Sequence, residues 1–258
     1  MLNNVRNVVS SSLRSSSDRG ERTQPTTVQL ERRRVYNVYI HQQGDRVLNV
    51  VNLGCERDSR TLFANLSFTL SPGETLQIEG CNGAGKTTLL KIIASLSHDY
   101  NGNIFWAGCN LKKEYTEYRL LTYFLGHRLG LKPELTPAEN LLWRHRLSGR
   151  TETLAIDDAL SQMNLQGYEH TPCHQLSIGQ QRRVALAGLL TSGATVWILD
   201  EPFTAIDAEG VCWLEQLIEQ HACRRGMTII SSHQFLSKSI KSLRRLTLED
   251  NPEANCGE

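Results

Sequence analysis

The stretch that most limits what this chain can fold into is GCNGAGKTT, Gly80–Thr88. Gly80, Gly85, Lys86 and Thr87 carry the Gly-x4-Gly-Lys-Thr spacing of a phosphate-binding loop. The context also fits, because Thr75–Glu79 reads as a strand and Lys86–Leu96 as a helix. A strand that passes through glycines straight into a helix belongs to a layered, mainly parallel α/β sheet. The glycines let backbone N–H groups along Cys81, Asn82, Gly83, Ala84 and Gly85 point inward around a β-phosphate. The helix start adds positive potential. Lys86 is expected to reach the β- and γ-phosphates, Thr87 to hold Mg2+ through its hydroxyl, and Thr88 to contact the α-phosphate.

Two further stretches extend this chemistry. Val196–Leu199 is apolar throughout, reads as a buried strand, and runs into Asp200 and Glu201. A carboxylate at the end of a buried strand needs a partner, and the usual one is Mg2+, directly or through water. Glu201 is placed to polarise an attacking water as general base. A solvated acid pair is the plainer reading. LSIGQQ at Leu176–Gln181 sets Ser177, Gly179 and Gln180 at a helix start, a second anion site. Lys86 already serves the phosphates of its own chain, so a second anion site makes sense if it serves the nucleotide of another chain. An ordinary serine N-cap is the alternative. His233 follows the strand Met227–Ser231, where it can reach a γ-phosphate, although a lone histidine is more often plain surface or core.

With 258 residues, 40% of them hydrophobic, the chain can build one sizeable α/β core or two small ones. No apolar run approaches the roughly 18 residues that span a bilayer, so any membrane role comes through a partner. The net charge of +1 is uneven: residues 1–46 hold eight arginines against four acids. The slightly acidic remainder argues against a nucleic-acid-binding face. Seven cysteines with no CxxC pair and no metal spacing read as reduced thiols. The haem-attachment pattern CxxCH is missing, and His98, His145, His170, His174 and His221 form no haem or metal set. Each reads as a surface residue, and haem is not expected to bind this chain.

Along the chain, residues 1–46 read as a separate extension, rich in Ser and Arg. The composition resembles a mitochondrial presequence. A disordered tail or a start codon placed too far upstream accounts for it as well. Residues 47–249 read as one nucleotide-binding domain, with a helical subdomain over about 128–190, and 250–258 as a disordered tail. Val47–Asn52, Thr61–Leu70, Asn103–Trp106 and Leu120–Leu125 have strand composition, with turns at Pro72-Gly73 and Asn101-Gly102. Thr136–Arg146 and Glu152–Met163 are predicted helices, the first opening on a capping box with Pro at its first position. Asp207–His221 is a predicted helix with an apolar stripe at Val211, Leu214, Leu217 and Ile218.

These motifs together resemble the nucleotide-binding subunit of ATP-binding-cassette (ABC) transporters. In that family two subunits close head to tail, and each ATP lies between the phosphate loop of one and the LSxGQ segment of the other. The resemblance implies that His233 holds the attacking water and that Ala205-Ile206-Asp207 crosses the subunit interface. GCNGAGKTTLL, the LGH…ELTPAENL stretch at Leu125–Leu141, and QLSIGQQRRVALA with WILDEPFTAID narrow it further, to the CcmA family of cytochrome c biogenesis. That resemblance implies an ATPase bound to a membrane permease at the cytoplasmic face of an inner membrane. The matrix side of a mitochondrial membrane is the alternative if residues 1–46 are a presequence. The family is implicated in moving haem or releasing a haem-carrying chaperone.

The sequence departs from the wider family in places. A histidine, His127, stands where most transporter ATPases carry a glutamine that touches Mg2+ and senses the membrane subunit. A solvent-facing switch and a ligand are both open readings of it. No aromatic residue in Cys55–Ser59 can stack on adenine, though Arg57 could. Gly188 replaces a common arginine inside the helix after LSIGQQ, and an interior glycine costs about 1 kcal/mol relative to alanine. The rival reading is a soluble ABC ATPase of iron–sulfur assembly. DNA-repair types need a long coiled-coil insertion, for which Lys86 to Ser177 leaves no room, and translation types carry two cassettes.

Overall fold

A computed structural model of the chain describes residues 46–113, 115–148, 154–234, 236 and 240–248. The expected extension (but for Arg46) and C-terminal tail lie outside the described residues. In chain order the elements are β1 (Leu48–Arg57), β2 (Arg60–Leu70), β3 (Thr75–Glu79), α1 (Lys86–Ile93), β4 (Asn101–Trp106) and β5 (Cys109–Asn110). There follow α2 (Thr116–Leu121), β6 (Thr122–Leu125), α3 (Pro137–Ser148), α4 (Ile156–Gln162), α5 (Ile178–Thr191), β7 (Val196–Asp200), α6 (Ala208–Cys223), β8 (Met227–Ser231) and β9 (Leu243–Thr247).

The strands form two sheets. One is antiparallel, in the order β2-β1-β4-β5, and the other is parallel, in the order β6-β7-β8-β3-β9. The parallel sheet is legible because its inner strands are buried on both faces: every residue of β7 and β8 is buried. Its register positions the site. Ile78 at the end of β3 pairs with Ser231, and Ser231 pairs with Asp200. The carboxyl ends of three adjacent strands therefore discharge their loops at one edge of the sheet, where open α/β sheets place their ligands.

One core cluster joins the two sheets and α1 through Leu48, Val50, Ile78, Leu89, Leu90, Ile93, Ile198 and Ile229. The other holds α3, α4, α5 and α6 against the far part of the parallel sheet through Leu141, Leu160, Leu186, Leu199, Leu214 and Ile230. Each fully buried aliphatic side chain contributes about 1.5–3 kcal/mol. No helix among the described residues is long and apolar enough to cross a membrane.

The expected turn at Asn101-Gly102 lies inside β4 instead. Gly102 has φ +86° and sits opposite the irregular pairing between Val51 and Gly54 of β1, where a Cβ would run into the Asn52 carbonyl. The run Leu120–Leu125 is not one strand: α2 takes its first two residues, and β6 begins at Thr122. The break is set by Tyr118, fully buried from α2, whose carbonyl accepts from Thr122 Oγ1 at 2.8 Å. The sequence reading left β9 out. Its pattern LRRLT is that of a sheet edge, with Arg244 and Arg245 paired to Glu74 and Glu79 at 3.3 and 3.1 Å.

Candidate nucleotide site

The phosphate loop runs from the end of β3 to the first turn of α1. Gly80, Gly83 and Gly85 take φ of +148°, +88° and +92°, the left-handed half of the map that only glycine enters freely. A Cβ at Gly80 would press on the Leu248 carbonyl, and one at Gly85 on Leu62 and Phe63. Ala84 is buried, whereas Cys81, Asn82 and Gly83 are exposed along the loop. Lys86 is buried, and its Nζ donates to the carbonyls of Gly80 at 2.7 Å and Cys81 at 3.0 Å. Thr88 follows on the same turn and is half-buried.

Around this loop the structure gathers the residues that the sequence singled out. Thr87 Oγ1 donates to Asp200, 2.9 Å from Oδ2 and 3.1 Å from Oδ1. His233 Nε2 stands 3.4 Å from Lys86 Nζ and 3.5 Å from Glu201 Oε1. That last distance is too long for a good hydrogen bond, and Glu201 Oε1 is hidden from solvent without a hydrogen-bond partner. A shielded carboxylate oxygen with unused acceptor capacity is suited to a bound water. A threonine hydroxyl beside a carboxylate is a hard-oxygen pair of the kind that takes Mg2+ together with phosphate oxygens and waters. Among the described residues there is no cluster of three or more His, Cys, Asp or Glu that would make a dedicated metal cage.

Two residues absent from the sequence reading hold this arrangement. Ser231 Oγ donates to Asp200 Oδ1 at 2.7 Å, while its Oγ and carbonyl oxygen accept from the Glu201 N–H at 3.0 and 3.1 Å. A small hydroxyl closing a wholly buried strand was the available signal. Arg182, 5% exposed on α5, donates Nε to the Pro202 carbonyl at 3.3 Å and Nη2 to the Glu201 carbonyl. Burial pushes its guanidinium below the usual range, and the Asp200 and Glu201 carboxylates oppose that. Glu201 itself has φ +48°, which costs a non-glycine residue about 1–3 kcal/mol.

Ser177, Gly179 and Gln180 lie at the start of α5. Ser177 is the N-cap, and its hydroxyl accepts from the Gln180 N–H at 3.2 Å. The Gln180 side-chain oxygen in turn accepts from the Ser177 N–H at 2.9 Å, a complete capping box. Ile178 between them is 76% exposed. The expected capping box at the start of α3 is also present, from Thr136 to Glu139. His127 is exposed, in the loop after β6. The loop that follows is tied to α3 by buried Asn140, which donates to the carbonyls of Lys132, Leu135 and Thr136 and accepts from the Lys132 N–H. Arg57 is exposed at the end of β1, beside no aromatic side chain in the Cys55–Ser59 segment.

Two sequence readings are corrected. Gly188 is not a tolerated weakness in α5: the Tyr123 hydroxyl occupies the place of its Cβ. Tyr123 donates there to the Ala185 carbonyl at 2.7 Å and accepts from Arg144 Nη1. His221 is not a surface residue. It stacks on Trp197 with ring centroids 3.7 Å apart, and its Nε2 lies 3.2 Å from the Thr195 carbonyl. Among the described residues the cysteines form no disulfide.

Residues 63–204 match the ABC transporter family model. A cytochrome c biogenesis ATP-binding export protein, CcmA, of Yersinia pestis is 47% identical over 210 residues, covering 81% of this chain and 96% of the relative. Among solved structures, an ABC transporter ATP-binding protein from Pyrococcus furiosus is 26% identical with a TM-score of 0.66, covering 78% of this chain and 97% of that one. An ATP-binding cassette solved as a dimer in a post-hydrolysis state with ADP and Pi shares the fold, at 22% identity and a TM-score of 0.64, with coverages of 78% and 94%. The chain is an ABC-type ATPase and belongs to the CcmA family of cytochrome c biogenesis ATP-binding proteins.

Proposed function

We propose that this chain is the ATP-hydrolysing, energy-coupling subunit of an ABC transporter complex serving c-type cytochrome biogenesis, by moving haem or by releasing a haem-carrying chaperone. The observation that carries the reading is the gathering of Thr87 with Asp200 and of His233 with Glu201 beside the glycine loop, in a chain 47% identical to CcmA over 210 residues. In this reading Gly80–Gly85 wrap the β-phosphate, Lys86 spans the β- and γ-phosphates, and Thr88 contacts the α-phosphate. Thr87 and Asp200 would hold Mg2+, which when bound neutralises charge on the β- and γ-oxygens. Glu201 takes the proton of the attacking water through its shielded Oε1. His233, within 3.5 Å of both Lys86 and Glu201, orients that water and the γ-phosphate.

Ser177, Gly179 and Gln180 serve the nucleotide of a second copy, so the working unit is a head-to-tail homodimer. The exposed Ile178 supports this, since closure of such a dimer would bury it. Residues 128–190 act as the helical subdomain, and the Leu125–Leu141 segment passes closure to a membrane permease. The protein then sits peripherally at the cytoplasmic face of the inner membrane, or at the matrix side if residues 1–46 are a presequence. Haem is not expected to bind the chain itself. The relatives' names do not favour the iron–sulfur assembly alternative. An affinity pull-down from solubilised membranes tests the reading. Recovery of a small permease supports it, and recovery of soluble iron–sulfur assembly proteins in its place overturns it.

A further inference from the structure

The general base is held by its backbone from both sides. Ser231 fixes the N–H of Glu201, and Arg182 fixes its carbonyl oxygen and that of Pro202. Arg182 lies on α5, the helix that Ser177 caps. One helix therefore carries both the segment that meets the second copy's nucleotide and the cation that grips the base of its own site. The grip is directional. A guanidinium is a rigid planar fork and can donate to two successive carbonyls at once. Glu201 is in the left-handed conformation, φ +48°, and its carbonyl and that of Pro202 both face the guanidinium on α5. A residue held in a sparsely populated conformation stays there only while its surroundings over-determine it. Arg182 is 5% exposed, is hydrogen-bonded to backbone oxygens, and is attracted by the Asp200 and Glu201 carboxylates, so it is positioned by the site itself.

We propose that Arg182 is a positioning residue for hydrolysis: it locks the Glu201-Pro202 backbone so that the Glu201 carboxylate is aimed at the attacking water, and it ties that aim to the position of α5. Docking of Ser177 against the nucleotide of the second copy then sets α5, and through Arg182 it sets the base in the opposite site. This inference rests on the assignment of Glu201 as general base.

The test compares steady-state ATPase activity of the full chain and its Arg182→Lys, Arg182→Met and Glu201→Gln variants, with equilibrium ATP binding measured on each. Arg182→Met is expected to lower kcat at least tenfold while KM and ATP affinity stay within about twofold. Arg182→Lys, which keeps a donor but loses the fork, is expected to fall between parent and Arg182→Met. The double variant Arg182→Met with Glu201→Gln is expected to hydrolyse no more slowly than Glu201→Gln alone, because Arg182 acts through Glu201. An unchanged kcat in Arg182→Met, with Glu201→Gln inactive, overturns the positioning role and leaves the base assignment standing. Parent activity in Glu201→Gln overturns the base assignment itself. Equal loss of kcat and ATP affinity in both Arg182 variants, with lowered thermal midpoints, reduces Arg182 to a structural residue and overturns the proposal.

Discussion

Thr87 and Asp200, 113 residues apart, share a hydrogen bond of 2.9 Å from Oγ1 to Oδ2 across the end of the parallel sheet. The pair exists because Ser231 lines up β3 with β7: Ile78, Ser231 and Asp200 lie in one register row. Both groups are hard oxygen donors, and Asp200 is 2% exposed, so its charge is poorly screened by water. We expect Thr87→Val to keep the fold and lower Mg2+-supported kcat by about 10²-fold or more, in line with the several kcal/mol that a catalytic metal supplies. The Mg2+ concentration for half-maximal activity should rise as well. A titration in which Thr87→Val follows the parent curve would remove Thr87 from the metal site.

Gly188 gives a second, purely mechanical expectation. The Tyr123 hydroxyl stands where its Cβ would be, so even Gly188→Ala overpacks the junction of β6 and α5. The expected cost is about 1–3 kcal/mol, although alanine is the better helix former. Tyr123→Phe removes the nearest atom and eases the clash, leaving the ring carbon Cζ 2.9 Å from the Cβ position, at the cost of the bonds to Ala185 and Arg144. The double variant should then be more stable than the sum of the two losses, a non-additivity expected of touching residues. Denaturant titrations of the four proteins measure it, and strict additivity would refute the packing account.

How far the sequence carried the reading depends on whether a feature is local. The phosphate loop is contiguous, and its neighbours Thr75–Glu79 and Lys86–Leu96 announced themselves by apolar pattern, so the loop and β3 were placed correctly and only the end of α1 was overrun. Asp200 and Glu201 were legible because a charged pair after a wholly apolar run is conspicuous. Ser231 and Arg182 were harder to read, because their partners lie elsewhere in the chain: Ser231 bonds the Asp200 carboxylate and the Glu201 N–H, and Arg182 bonds the Glu201 and Pro202 carbonyls. The same holds for His221, whose stacking on Trp197 joins α6 to β7. The α2–β6 boundary was missed because one apolar run, Leu120–Leu125, serves two elements.

Cys81 lies in the phosphate loop, exposed, with its carbonyl bonded to Lys86 Nζ at 3.0 Å. A bulky group on its sulfur would occupy the path of the phosphates. We expect N-ethylmaleimide to abolish ATP hydrolysis, ATP to protect, and Cys81→Ser to resist. Cys109, Cys212 and Cys223 are also exposed and serve as internal controls, since their labelling should not depend on ATP. If Cys81→Ser is inactivated as fast as the parent, the sensitive thiol lies elsewhere.

His221 predicts how stability depends on pH. Burial is the largest influence on its ring and brings its pKa down from 6.5 to about 4. Hydrogen bonds to the backbone at Thr195 and Met227 oppose the shift, and Arg224, which caps the end of α6, adds to it. The face of Trp197 covers the ring, and Gly226 packs against its edge. Between pH 6.5 and 4 the unfolded chain therefore binds a proton that the folded chain refuses. The sign follows from linkage: where the unfolded state holds more protons, stability falls as pH falls. The contribution is fully present above about pH 6.5 and fades toward pH 4, with a ceiling of about 3 kcal/mol at 1.36 kcal/mol per unit. His221→Gln keeps a donor for the Thr195 carbonyl and cannot titrate, so its stability should change less with pH over this window. Chemical denaturation at pH 7.5, 6 and 5 measures the difference, and parallel losses in parent and His221→Gln would assign the acid sensitivity to other groups.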